Sequence, residues 1–220
     1  KNKITIIGAG YIGLEIASIA AKKNLEVCIL ELENRVIGRV VSTEVSDFFQ
    51  KKHQSEGIKF TFNTLITDIE DQGKQKRIVC SDGRFLDTDL VVIGVGIKPN
   101  IELAINSGMQ CDNGILVDDN GLTSDPHIFA VGDCSNHHSN IFNKRLRLES
   151  VQNAVEQAKS IAAGIAGNHK PYHQVPWFWS DQYNIKLQIA GISQHHDNRV
   201  IRGSPEQEKF AVFYLKEKRL

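Results

Sequence analysis

Gly8-Ala9-Gly10-Tyr11-Ile12-Gly13 spaces three glycines as GxGxxG. The spacing suits the holding of a diphosphate. Gly8 permits a tight turn, Gly10 lets the main chain approach a pyrophosphate, and Gly13 lets a following helix lie against the preceding strand. Phosphate charge then meets free N–H groups at the helix N-terminus. Glu31 lies 18 residues beyond Gly13. A carboxylate there accepts hydrogen bonds from both hydroxyls of an adenine ribose and repels a 2′-phosphate, so the pattern predicts NADH over NADPH. Arg35 and Arg39 are near enough in sequence to meet a phosphate and weaken that preference. The competing reading is a glycine-rich packing turn followed by a surface glutamate.

The motif needs a strand before it and a helix after it. Residues 3–7 are β-branched and bounded by glycine, which predicts a strand. Residues 11–23 predict a helix with Ile12, Ile16, Ile19 and Ala20 on its buried face, and 26–31 predict a second strand. The unit is βαβ, which implies adjacent parallel strands. Ser42 is a candidate cap for a helix burying Val45, Phe48 and Phe49, followed by a strand at 58–62. Short strands near 65–70, 77–80 and 84–86, separated by Asp71-Gln72-Gly73 and Asp82-Gly83, predict an antiparallel meander in place of a crossover helix. A buried strand is expected at 89–93, ending in Gly94-Val95-Gly96. Beyond Lys98-Pro99-Asn100 the pattern predicts a short helix at 102–107, a strand at 128–131 and a helix from about 149 to 166. Ala154, Ala158, Ala162, Ala163 and Ala166 would let that last helix approach a sheet or cofactor closely. Further strands are expected near 185–190, 198–202 and 209–215, with Lys216-Glu217-Lys218-Arg219 as a hairpin turn.

Composition narrows the class. The 220 residues are 41% hydrophobic and 24% charged, which excludes collagen-like, low-complexity and wholly disordered chains. Lys plus Arg equals Asp plus Glu at 26 each, without the basic surplus of a nucleic-acid binder. No apolar run approaches the roughly 20 residues that span a bilayer. Cys28, Cys80, Cys111 and Cys134 form no CxxC pair, and reduced cysteines in a cytoplasmic protein are expected. The pairs His137-His138 and His195-His196 place neighbouring rings on opposite faces of a strand, which disfavours a shared metal.

Four longer motifs occur in order: Gly8–Glu15, Gly94–Asn100, Thr123–Cys134 and Leu148–Ala154. Together they resemble the FAD-dependent pyridine-nucleotide oxidoreductases. Val175–Tyr183, which contains Trp177-Phe178-Trp179, is similar to the NADH-dependent ferredoxin reductases that serve oxygenases, the putidaredoxin, rubredoxin and rhodocoxin reductases among them. The resemblance implies an α/β fold. A Rossmann-like NAD-binding domain (1–97) would be followed by the second half of an FAD-binding Rossmann-like domain (98–173) and the start of an α+β interface domain (174–220). It implies hydride transfer from NADH to FAD, then single electrons to an iron–sulfur ferredoxin or rubredoxin in the cytoplasm.

In the nucleotide site the resemblance implies roles for Gly8, Gly10, Tyr11, Ile12, Gly13, Glu31 and Arg39, with Gly94, Val95 and Gly96 as a wall. Glu15 and Glu149 match positions near the nicotinamide. Gly132 and Asp133 match the second FAD motif. Glu149, Ser150 and Val151 would open a helix aimed at the flavin pyrimidine edge, and Trp179 would pack beside the flavin; Trp177 is expected to be a core aromatic. Lys144, Arg145, Arg147 and Lys159 are candidates to face an acidic ferredoxin, against the reading of each one alone as an ordinary solvated surface charge. No residue of the chain is expected to carry the covalent chemistry, and no metal is expected.

The first FAD motif and the rest of the C-terminal sheet of such proteins have no match in the chain. The expectation is an internal piece whose missing FAD-binding half is supplied in cis or by another chain, and which alone holds FAD weakly. Two other readings stay open: a nucleotide-binding module without turnover, and a related flavoprotein acting on disulfides, quinones or monodehydroascorbate.

Overall fold

The computed structural model describes residues 2–168, 171–194 and 196–220. Contacts divide the chain into two compact units: Lys1–Gly96 with Ser180–Leu187 and Ser193–Leu220, and Ile97–Trp179 with Gln188–Ile192.

The first unit opens with β1 (Lys3–Ile7), α1 (Tyr11–Lys22), β2 (Glu26–Leu30), α2 (Thr43–Ser55) and β3 (Lys59–Thr61). The three strands are parallel, with Ile7 opposite Leu30 and Leu30 opposite Thr61. Ile4, Thr5, Ile6 and Ile7 are all buried, as in a strand covered on both faces. The chain then makes the expected antiparallel meander, β4 (Ile66–Asp71), β5 (Lys76–Cys80) and β6 (Phe85–Thr88). β7 (Leu90–Ile93) returns parallel to β1 on its free side, giving the order β3-β2-β1-β7. Strand order reverses at β1, and ligands of such sheets lodge beyond the carboxyl ends of the strands at that point. Ile78 of the meander is fully buried against Ile7 and Leu30 of the sheet, where a crossover helix would otherwise pack. Asp89 pins the start of β1: its carboxylate accepts the N–H groups of Asn2 (2.8 Å) and Lys3 (3.1 Å), which hold its pKa down at about 2.

Two expectations about faces are corrected. On α1 the buried residues are Gly13, Leu14, Ala17, Ser18 and Ala20, whereas Ile12 and Ile19 are exposed. Small side chains win the sheet-facing side because they let the helix axis come close. β7 is not a buried strand, because it ends the sheet and leaves Leu90 and Ile93 largely exposed. α2 buries Val45, Phe48 and Phe49 as expected, and also His53; each apolar burial contributes about 1.5–3 kcal/mol.

The second unit holds α3 (Glu102–Asn106), β8 (Ile115–Val117), β9 (Ser135–Ser139), β10 (Lys144–Leu146) and α4 (Val151–Ile165). The sheet order is β10-β9-β8, antiparallel then parallel. No strand forms at 128–131. Thr123 N–H donates to the Ile128 carbonyl and Ala130 N–H to that of Gly121, so this apolar run pairs locally around a single bridge, Leu122 with Phe129. The alanines of α4 are divided, with Ala154 and Ala163 half-buried and Ala154 beside Gly132. Ala158 and Ala162 are exposed, and the buried stripe is Asn153, Gln157 and Ile161.

β11 (Trp177–Gln182) and β12 (Ile185–Ala190) form a hairpin, and β13 (Asn198–Ser204) and β14 (Lys209–Leu215) form another. Phe210 of β14 packs edge-on to Phe48 at 5.1 Å. Lys216–Arg219 makes the expected turn. Glu217 and Lys218 take positive φ, and Lys216 and Arg219 exchange backbone hydrogen bonds of 2.8 and 2.9 Å. Among the described residues no helix is long and apolar enough to cross a membrane. His195 lies outside the described residues.

Candidate functional site

Gly8 and Gly94 each extend the parallel ladder by one step. Gly8 N–H donates to the Leu30 carbonyl at 2.8 Å, and Gly94 N–H to that of Ile7 at 2.8 Å. Gly8 has φ of +100°, and a Cβ there would overlap the Gly94 carbonyl; a Cβ at Gly13 would overlap the Gly8 carbonyl. The fold itself therefore demands glycine at 8 and 13. Gly10 differs. Its φ of −75° and ψ of −177° suit any residue, and a Cβ would meet nothing nearer than the Gly94 oxygen at 4.0 Å. Packing therefore does not explain glycine at position 10, and the main chain there is open to close approach by a ligand. α1 begins on Gly10 with neither a side-chain cap nor an acid in its first turn, so its positive end is not neutralised locally. Tyr11 is half-buried, and burial raises its hydroxyl pKa, with Tyr214 adding to the shift. Ile12 projects outward, 62% exposed.

Glu31 follows β2 directly and bonds to the glycine loop. Its carboxylate accepts Ala9 N–H at 2.5 Å through Oε2 and Glu33 N–H at 2.8 Å through Oε1. Each carboxylate oxygen keeps a second acceptor direction, enough for a pair of ribose hydroxyls. The Ala9 carbonyl accepts from Ile37 N–H at 2.9 Å. Ile37 has φ of +43°, a rare conformation for a β-branched residue. The Ala9 peptide is thus gripped at both ends, a role that glycine spacing alone does not reveal. Arg35 donates to the carbonyls of Val41, at 2.9 Å, and Gly38, so its guanidinium serves its own loop. Arg39 is exposed in that loop. Val95 is exposed between Gly94 and Gly96 beyond β7. Glu15, one turn into α1, is half-buried and accepts from Ser180 Oγ at 2.5 Å.

In the second unit Gly132 has φ of +72°, and its N–H donates to Gln157 Oε1 at 2.7 Å. Ser135 Oγ lies 2.8 Å from the same oxygen, and Gln157 Nε2 lies 3.1 Å from Nδ1 of buried His137, whose pKa is lowered chiefly by burial. Gln157 therefore shapes the Gly132-Asp133 turn. The sequence signal for it was a polar residue in register with Asn153 and Ile161. Asp133 exposes its side chain, and its carbonyl accepts from Arg147 at 3.0 Å. Arg147 also pairs with Glu149 at 2.6 Å. Ser150 caps α4 through Asn153 N–H at 3.2 Å, next to exposed Val151.

The basic residues expected to face an acidic partner have contacts of their own. Besides Arg147, Arg145 donates to the carbonyls of Val117 (2.9 Å) and Asn136 (2.6 Å), and Lys159 to Glu156 (2.7 Å). Lys144 lies on β10, half-buried. Trp177 is not a core aromatic. It is 38% exposed and stacks at 5.0 Å and 27° on half-buried Trp179.

Residues 1–158 match the family described as pyridine nucleotide-disulphide oxidoreductase, and residues 177–220 match the one described as reductase C-terminal. The chain belongs to the pyridine nucleotide-disulphide oxidoreductase family. Among curated members, putidaredoxin reductase CamA from Pseudomonas putida is 44% identical over all of this chain and 53% of its own length. Rhodocoxin reductase from Rhodococcus erythropolis is 40% identical over 96% of this chain and 50% of its own length. The crystal structure of the ferredoxin reductase for the CYP199A2 system from Rhodopseudomonas palustris superposes with a TM-score of 0.94, at 46% identity, over 97% of this chain and 53% of that one. This family member thus spans about half the length of the curated relatives it matches. The family and the α/β fold are those that the ordered motifs implied.

Proposed function

We propose that this chain supplies the NAD-binding domain (1–97), the second half of the FAD-binding domain (98–173) and the start of the interface domain (174–220) of an NADH-dependent ferredoxin reductase. The observation that carries this reading is the switch-point cradle: an open Gly10, an uncapped α1 and a Glu31 carboxylate tied to the same loop.

Gly8, Gly10 and Gly13, with the first N–H groups of α1 beside Tyr11 and Ile12, would hold the pyrophosphate of NADH. Glu31 would accept both adenine-ribose hydroxyls, and its charge would repel a 2′-phosphate. Arg39 would stay at the rim. Gly94, Val95 and Gly96 would wall the nicotinamide side, where Glu15 would accept from the carboxamide. In the second unit the Asp133 carboxylate, exposed after the Gly132 turn, would accept from a ribityl hydroxyl of FAD. Glu149, Ser150 and Val151 would bring the positive end of α4 to the flavin, with Trp179 beside it. Ser150 Oγ accepts in the cap, which leaves its O–H free to donate. When bound, the nicotinamide supplies hydride and the flavin converts it into single electrons.

The electrons would go to an iron–sulfur ferredoxin or rubredoxin in the cytoplasm, in keeping with the names of the relatives. The remaining FAD contacts would come in cis or from another chain. Ferricyanide reduction by NADH, with and without added FAD, tests the reading. It predicts turnover that depends on both; NADH binding with no turnover at any FAD concentration would leave a nucleotide-binding module instead.

A further inference from the structure

Four buried or half-buried polar side chains of the first unit lead away from Glu15 in single file. Ser180 Oγ lies 2.5 Å from Glu15 Oε1, and Gln182 Nε2 lies 3.1 Å from Ser180 Oγ. Gln182 Oε1 lies 2.8 Å from His53 Nε2, and the Tyr183 hydroxyl 3.1 Å from His53 Nδ1. Ser180, Gln182 and His53 are fully buried. Tyr183 holds the hairpin tip with φ of +58°, its carbonyl accepting from Lys22 at 3.1 Å and its ring beside Lys52 at 5.7 Å.

Donor and acceptor chemistry allows one direction along this file. An ionised carboxylate only accepts, so Ser180 must donate its single proton to Glu15. Ser180 must then accept from the Gln182 amide N–H. That turns the Gln182 carbonyl toward His53, so Nε2 of His53 must carry a proton. A neutral imidazole then accepts at Nδ1, from the Tyr183 hydroxyl. Burial lowers the His53 pKa and raises that of Tyr183, which keeps the ring neutral and the phenol protonated.

We propose that Ser180, Gln182, His53 and Tyr183 are positioning residues that lock the Glu15 carboxylate in one orientation, so that the segment at 180–183 sets how the chain grips the nicotinamide end of NADH. This rests on the NADH reading above. It goes beyond that reading by making nicotinamide recognition depend on α2 and the β11–β12 tip as well as on the glycine cradle.

The test compares NADH with ADP-ribose, which lacks the nicotinamide, by calorimetry on the full chain. Ser180→Ala should weaken NADH about tenfold and ADP-ribose less than twofold, and Ser180→Thr, which keeps the hydroxyl, should restore NADH. Nitrogen-15 NMR of the wild-type chain should find His53 protonated at Nε2 with Nδ1 accepting. An unchanged ratio of NADH to ADP-ribose affinity in Ser180→Ala, with both ligands still bound, would overturn the lock alone, as would an Nδ1-protonated His53. Failure of both ligands to bind the wild-type chain would overturn the NADH reading and this proposal with it.

Discussion

The three glycines of the cradle have two different jobs, which gives a sharp contrast between variants. A Cβ at Gly13 runs into backbone, the Gly8 carbonyl, so Gly13→Ala should cost about 1–3 kcal/mol of stability as an overpacking change. A Cβ at Gly10 meets no protein atom closer than 4.0 Å, so Gly10→Ala should melt with the parent while binding NADH roughly tenfold more weakly. Paired thermal melts and calorimetry check this; parental NADH affinity in Gly10→Ala would remove the diphosphate from the cradle. The glycine spacing and Glu31 were legible in sequence because chain-local geometry dictates them. The grip of Glu31 and Ile37 on the Ala9 peptide was not, because it depends on how a later loop folds back.

Elements were legible in kind and less so in facing. α1 was found by its period, but Ile12 and Ile19 point outward because Gly13, Ala17 and Ala20 pack against the sheet. Ala17→Leu should therefore destabilise the fold by about 1–3 kcal/mol, whereas Ile19→Ala should stay within about 0.5 kcal/mol, both read by denaturant titration. The meander was visible from its turn residues, while the strand expected at 128–131 lacked any partner strand to pair with. Two helix- and strand-borne histidines, His53 and His137, have pKa values lowered by burial. The unfolded chain then binds more protons near and below roughly pH 6.5, so their contribution is full above that pH and is lost on acidification. Melting temperature should fall between pH 7.5 and pH 5.5; a flat profile would show that these rings protonate in place without penalty.

At the scale of the whole molecule, the chain divides into two compact units, and the ordered motifs disclosed the family to which it belongs. What sequence could not disclose was the use of Arg145, whose guanidinium finds the carbonyls of Val117 and Asn136 only once β8, β9 and β10 are aligned, whereas the Lys159–Glu156 pair is local to α4. The 220 residues contain one GxGxxG loop, assigned here to NADH. Desalted chain mixed with FAD should retain well under one equivalent of flavin in its visible spectrum; a stable stoichiometric yellow protein would contradict that assignment. The most direct test of the central claim is calorimetric titration of NADH and NADPH into the chain and into Glu31→Ala. The account predicts that NADH binds more tightly than NADPH. It also predicts that the variant loses about 2 kcal/mol toward NADH, roughly thirtyfold, with the gap to NADPH closing. Equal affinity for the two nucleotides, unchanged by removal of the carboxylate, would contradict it.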